Sequence, residues 1–368
     1  MTAATLIEAL TAHHTATLAV AEAFPDEELR AQHHPLLSPL GWHVGHCSFI
    51  ETLWVQGELL GRSSEVDRWK ALYQPDMAYK PGRGLRLPER GTLAAWCVER
   101  HEENLGVLAD PPARLRAHPL LHDDYLPRFL LQHYAQHLET MDYVRAQRDP
   151  GDRPVPSPAN EPGWIVLPPG RYGIGATGPD AYDNEQEMHC VRLAGARLGR
   201  RPVTNDEFAE FMADGGYERP ELWDDAGWQW RARHGVDRPG YWARHRDQGP
   251  PRGDSAVQGL SHFEATAYAR WAGARLPHEY EWEAAHRHGL LAGVGSTWEW
   301  CANPFHPYPG FLPFPYEGYS NPWFDGRHYV LRGASASTRP AVRRPSFRNF
   351  YTREVRHVFS GLRLALDL

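Results

Sequence analysis

Two histidines four residues apart, His133 and His137, stand in the run Leu131-Gln132-His133-Tyr134-Ala135-Gln136-His137-Leu138. In a helix that spacing sets both imidazoles on one face, one turn apart, which is chelating geometry for a divalent metal. Leu126, Leu130, Met141 and Val144 fall on the same stripe, so the pair points into a helical core. A single inward histidine is most often a satisfied core residue. Two in register weigh differently, because burying two neutral imidazoles without strong partners is costly. His46, in Trp42-His43-Val44-Gly45-His46-Cys47-Ser48-Phe49, shares a stripe with Trp42, Phe49 and Leu53. Facing the pair from a second helix, it makes a three-histidine site with open coordination positions. Such a site can do chemistry as well as hold a fold. An all-nitrogen set suits Fe(II), Zn or Cu rather than Mg or Ca. His43 falls off the stripe near the helix start and reads as structural. Gly45 leaves room for close approach of another element. His13, His14, His33 and His34 read as helix-surface or loop residues.

The elements that must carry these residues are helices. Periodicity predicts them over 3–24, 39–61, 90–109 and 123–148, with Ser38 as N-cap and Pro39 in the first turn of the second. Four such helices make a bundle over 1–148. The loop from Tyr73 to Arg90 is rich in Pro, Gly and Arg. Its basic residues Lys80, Arg83 and Arg86 suit a solvated connection or a loop closing over an anionic substrate. Residues 149–162 hold five prolines and read as a stiff linker. From 163 to 368 the texture changes to short strand-like runs (Trp164–Leu167, Tyr329–Arg332, Leu362–Leu366) separated by Gly, Pro, Asn and Asp. Helices are predicted there at 204–214 and 261–273, the first opened by Thr204 with Glu207 three residues on, a capping box.

Composition narrows the function classes. A chain of 368 residues calls for two domains. A net charge of −7 argues against nucleic-acid binding and leaves no footprint for an anionic membrane. Cys47, Cys97, Cys190 and Cys301 show no C-x-x-C spacing, which disfavours a disulfide framework or zinc ribbon and suits a reducing, cytoplasmic setting. Met1 to Phe24 lacks the pattern of a signal peptide, and no stretch is apolar enough to span a bilayer. The sequence does not set an oligomeric state.

Beyond the histidines, a series of segments carries a resemblance. Ser38-Pro39-Leu40-Gly41-Trp42-His43-Val44-Gly45-His46 and Gln132-His133-Tyr134-Ala135-Gln136-His137-Leu138-Glu139 are similar to the two metal motifs of the EgtB-type sulfoxide synthases of ergothioneine biosynthesis. Eight further segments resemble that family in order: 201–205, 215–223, 275–282, 297–300, 308–311, 330–333, 348–350 and 361–364. The resemblance implies a multi-domain α plus α+β chain. A DinB-like metal-binding four-helix bundle (1–148) and the linker (149–162) would be followed by an irregular formylglycine-generating-enzyme-like, C-type-lectin-like domain (163–368), with the active site between them. It implies Fe(II) held by His46, His133 and His137, dioxygen as co-substrate, and Tyr316 as catalytic proton donor. Tyr319 would neighbour Tyr316, and Asn349 and Gln136 would contact a histidine-derived acceptor, hercynine. The product would join a thiol or selenol donor to the imidazole carbon.

The donor half departs from the family. Members that use γ-glutamylcysteine often carry an acid where this chain has Asn349-Phe350-Tyr351, and their arginine-bearing loop differs from Tyr79 to Arg86. Tyr351, Arg83 and Arg86 are the donor-binding candidates here. The donor stays open among cysteine, γ-glutamylcysteine and a selenosugar, the last making the chain a selenoneine synthase. Other readings are a DinB-type thiol transferase or hydrolase using zinc, formylglycine generation, and a non-catalytic binding module. Cys190 and Cys301 do not reproduce a paired-cysteine copper site, which disfavours formylglycine generation.

Overall fold

The computed structural model describes residues 2–77, 79–153, 156, 161–242 and 253–368. Of the proline-rich stretch, residues 154, 155 and 157–160 lie outside the described set. The chain forms two compact units: Met1–Arg153 with Arg339–Val342, and Pro154–Thr338 with Arg343–Leu368.

The first unit is helical. Its order is α1 (Ala3–Ala23), α2 (Asp26–Arg30), α3 (Leu40–Thr52), α4 (Ser64–Tyr73), α5 (Arg90–Ala109) and α6 (Tyr125–Arg148). The four predicted helices are present as α1, α3, α5 and α6. The second differs in two ways: its C-terminal half, Leu53–Leu59, is wound as a π-helix, and it starts without a side-chain cap. Ser38 does not cap it, because its hydroxyl accepts a hydrogen bond from Arg83 Nη1 at 2.6 Å. Helix α3 is buried on nearly every side, packing on α1, α4, α5 and α6. A helix enclosed in this way has no face left for amphipathic patterning, so its polar residues must find partners inside. The basic loop is not loose. It holds short 3-10 turns at Lys80–Gly82 and Gly84–Arg86, and Arg30 clamps it through the carbonyls of Leu87 (2.6 Å) and Pro88 (2.8 Å).

Among its described residues the second unit combines three small sheets with four α-helices: α7 (Asn205–Ala213), α8 (Asp225–His234), α9 (His262–Trp271) and α10 (Glu279–Arg287). Strands β1 (Trp164–Leu167), β4 (Ala196–Gly199) and β9 (Ala365–Asp367) form one sheet, and β2 (Gly170–Ile174) pairs with β3 (His189–Leu193). The third sheet runs β7 (Asn349–Thr352), β6 (His328–Ala334), β5 (Thr297–Pro304), β8 (Ser360–Gly361). The Thr204 capping box opens α7 as predicted.

With strands this short, apolar layers alone do not fix the fold. Three fully buried ion pairs cross the unit: Glu279 with Arg348, Glu283 with Arg332, and Glu299 with Arg363. Glu299 takes Arg363 Nε at 2.7 Å and Nη2 at 2.8 Å, and also accepts Trp282 Nε1 at 2.7 Å. Arg363 spends its remaining donors on the carbonyls of Gly199, Arg200 and Ala292. These pairs lie in the segments 275–282, 297–300, 330–333, 348–350 and 361–364, or one residue outside them. The charged residues of those segments are therefore framework, saturated by hydrogen bonds as buried charge requires.

Candidate metal centre

His46 comes from α3, and His133 and His137 from α6. One ring nitrogen of each lies within 4.8 Å of the others, close enough for a shared ion. His46 is buried, while His133 and His137 keep part of their surface accessible, so the cluster opens on one side. Two of the three rings are oriented by what lies behind them. His46 Nδ1 donates to the Tyr73 carbonyl at 2.8 Å, which leaves Nε2 as the lone-pair nitrogen. His137 Nδ1 meets His43 Nδ1 at 3.0 Å, and the tautomer that donates to His43 has its lone pair on Nε2. His133 Nδ1 is buried without a hydrogen-bond partner. Burial holds all three imidazoles below their ordinary pKa, His137 at about 4, so each is the neutral form that ligates. Three neutral imidazoles, two of them held by hydrogen bonds, and an orphaned buried polar atom on the third fit a borderline metal such as Fe(II) or Zn(II).

The supports of His46 are local. The Trp42 indole stacks on its imidazole at 4.5 Å and donates Nε1 to the Leu72 carbonyl at 2.8 Å. The Arg83 guanidinium in turn lies 4.0 Å over the Trp42 ring. Arg83 is buried and bound to Ser38 and to the Pro75 carbonyl at 2.6 Å. Its charge is turned inward onto Trp42 and the loop instead of facing a donor, whereas Arg86 is exposed.

Gly45 is where the sequence predicted close approach, and the approaching group is Tyr73. A Cβ at position 45 would lie 2.2 Å from Tyr73 Cζ. Gly45→Ala must therefore displace the ring and, with it, the carbonyl that orients His46. The expected cost is about 1–3 kcal/mol of overpacking, together with roughly 10–100-fold weaker metal binding. Denaturant melts and anaerobic Fe(II) titration check this; unchanged metal affinity would show that Tyr73 does not position His46.

Sequence reasoning missed several groups. His43 is not merely structural, since it touches His137; its i, i+3 spacing from His46 was the available signal. His14 is buried rather than on the surface and joins a second cluster with Glu51 and His101. There, the Glu51 carboxylate accepts from His101 Nδ1 (3.0 Å), Tyr134 Oη (2.9 Å) and Asn104 Nδ2 (3.1 Å), and His14 Nδ1 meets Tyr134 Oη at 3.1 Å. The distances alone would admit an ion. However, the His14 and His101 rings stack at 3.8 Å with 2° between their planes. Parallel stacked imidazoles cannot both aim an in-plane lone pair at one ion, and the carboxylate is already satisfied. This cluster is read as a hydrogen-bond network centred on Glu51, with His14 Nε2 and His101 Nε2 buried without a partner.

Gln136 lies on α6 between the two α6 histidines and is half-buried. The other predicted contacts belong to the second unit. Asn349 and Tyr351 share one face of β7 by strand alternation, and both are half-buried. Tyr316 is 42% exposed on the segment between β5 and β6, its ring over Gly318, where a Cβ would come within 2.9 Å of Tyr316 Cε2. Tyr319 stacks on Tyr182 at 4.2 Å. Buried Asp183 holds this segment at both ends: it accepts the Ser320 hydroxyl and, at 3.4 Å, the Phe314 backbone N–H. Burial pushes the Asp183 carboxyl up to about 6.

Comparison with known proteins matches this anatomy. Residues 9–141 match the DinB superfamily, and 151–294 and 286–368 match the sulfatase-modifying factor enzyme 1-like domain. The chain is 34% identical to the hercynine oxygenase of Mycolicibacterium smegmatis across 99% of both chains. It is 32% identical to that of Mycobacterium tuberculosis, covering 94% of this chain and 95% of the relative. A formylglycine-generating enzyme of Streptomyces coelicolor is 33% identical over 42% of this chain and 55% of its own. The architecture is thus that of the proteins joining a DinB-type bundle to a sulfatase-modifying-factor domain. Within them, the chain belongs to the hercynine oxygenase family. The first alignment runs over 440 positions, more than the 368 residues present, so it opens gaps opposite this chain.

Proposed function

We propose that this protein is a non-heme Fe(II)- and dioxygen-dependent synthase that joins a thiol or selenol donor to the imidazole carbon of hercynine. The observation that carries the reading is the His46, His133 and His137 cluster, with neutral nitrogens, two of the rings oriented, and one open side. Full-length similarity to two hercynine oxygenases supports the acceptor. Iron bound there would supply dioxygen activation and hold both substrates in proximity. The chain's own residues do the rest. Trp42 and Tyr73 hold the His46 ring, and His43 holds the His137 ring. Gln136 and Asn349 bind the acceptor. Exposed Arg86 and the Tyr351 phenol are assigned to the donor. No helix among the described residues is long and apolar enough to cross a membrane, and small molecules are the partners this reading requires.

Tyr316 Oη is assigned as the proton donor, on a segment fixed at both ends by Asp183. Its proton directs oxygen reduction toward bond formation at the imidazole and away from oxidation of the donor sulfur. Tyr316→Phe keeps the ring and loses the proton. The expected outcome is a fall of about 10²–10⁴-fold in the coupled product, with donor oxidation rising in its place. A variant with the wild-type product ratio would remove Tyr316 from this role.

The reading is tested by anaerobic Fe(II) reconstitution followed by air. Hercynine is offered with cysteine, γ-glutamylcysteine and a selenosugar in turn, and products are read by mass spectrometry. An adduct with one donor supports the synthase and identifies the donor. No adduct and no oxygen uptake with any donor would point instead to a zinc-type transferase.

A further inference from the structure

The rings behind His46 do not end at Trp42. Tyr73 lies 6.5 Å from Trp42, and Trp96 stacks on Tyr73 at 5.9 Å with 6° between planes. Trp69 lies 5.0 Å from Trp96 and 5.7 Å from Tyr73. The series leads outward, from a fully enclosed helix to partly exposed Trp69. At its outer end Trp96 Nε1 donates to Glu65 Oε2 at 3.1 Å, and the Glu65 side chain reaches solvent. Aliphatic side chains would fill this space equally well. Indole and phenol differ from them in giving up an electron, and stacked rings couple well enough to pass one.

We propose that Trp42, Tyr73 and Trp96 form a discharge path, carrying a one-electron hole from the three-histidine centre to the Trp96–Glu65 pair and so sparing the ligands. The proposal rests on the iron reading above. The need arises when dioxygen is reduced at the centre without an acceptor to consume its oxidising power.

The partners along the path set where the charge stops. Trp42 gives one electron to the centre and is refilled from Trp96. Tyr73 serves as a bridge. Its hydroxyl is buried without a hydrogen-bond partner, so no group is there to take its proton and the hole does not rest on it. Trp96 does have an acceptor. As its indole loses the electron, the Nε1 proton passes to Glu65 Oε2, leaving a neutral indolyl radical and a protonated carboxyl. The electron ends on oxygen. The path is reset by a thiolate in solution, its proton already released to water, which returns one electron while the proton moves back from Glu65; two such thiyl products join as a disulfide.

The experiment uses the full chain loaded anaerobically with Fe(II), its stoichiometry measured first. Air and cysteine are then admitted without hercynine. Frozen samples are read by electron paramagnetic resonance, and oxidised residues are mapped by peptide mass spectrometry. In the wild type we expect an indolyl radical and oxidation concentrated on Trp96 and Trp69. In Glu65→Gln, which keeps a hydrogen-bond acceptor but not the base, the radical signal falls several-fold and damage moves inward to Trp42 and His46. Trp96→Phe, a conservative change of ring, should give the same inward shift. Oxygen uptake by iron-loaded protein with the same damage map in all three chains would overturn the path while leaving the metal reading intact. Failure to bind iron would overturn both, and the titration would show it before air is admitted.

Discussion

His137→Ala abolishes tight Fe(II) binding, whereas His14→Ala leaves it in place; this contrast is the largest effect expected on activity. The difference follows from what each ring does. His137 offers Nε2 to the centre and is aimed by His43, so its loss removes a ligand. Orienting groups alone are worth about 10–100-fold in metal affinity, so a ligand should exceed the top of that range. Hercynine-dependent oxygen uptake should fall with it. His14 instead meets the Tyr134 hydroxyl, and Tyr134 donates to Glu51. Its removal leaves one buried hydroxyl short of a partner, worth about 1–3 kcal/mol. Anaerobic titration and thermal melts separate the two. Loss of iron binding in His14→Ala with an unchanged melting temperature would transfer the metal to the second cluster.

The largest effect on stability is expected from Arg363→Met. The side chain is fully buried and satisfies both oxygens of Glu299 and three backbone carbonyls. Methionine fills much of the volume and leaves a carboxylate enclosed with only Trp282 Nε1 beside it. Breaking one side of such a pair costs about 3–5 kcal/mol, enough to unfold a marginal unit. Chemical denaturation followed at tryptophan should show the loss. Adding Glu299→Gln to the same chain should recover part of it, because the uncompensated charge is then gone. A double variant no more stable than the single one would mean that the carbonyl contacts of Arg363, rather than the ion pair, hold the unit.

Much of this was legible in the sequence, and the limits have physical causes. The inward pairing of His133 and His137 was readable because two imidazoles in register on an apolar stripe must both be satisfied inside the core. Gly45 was readable because a mid-helix glycine signals a close neighbour. The neighbour itself, Tyr73, was not. It ends α4, a helix that went unrecognised because few of its residues are buried. Helices α8 and α10 escaped for a related reason, being nine or ten residues long and strongly polar. The Glu51 network was hidden because its members lie on α1, α3, α5 and α6, and only packing brings them together. The burial of Arg83 could not be read, since charge in a Gly- and Pro-rich loop usually faces water, and nothing local shows a guanidinium lying on a buried indole. In the second unit the family segments were visible as motifs, but the partner of each charge lies tens of residues away in the chain.

The double hold of Asp183 on Phe314 and Ser320 has a practical side. Residues 315–319 begin and end on a single anchor, so their length and chemistry can change while the frame beneath them keeps its contacts. They behave as an exchangeable cassette. Grafting the corresponding stretch of a relative onto the same two posts is a route to altered product outcome that leaves the bundle, and every ligand in it, untouched.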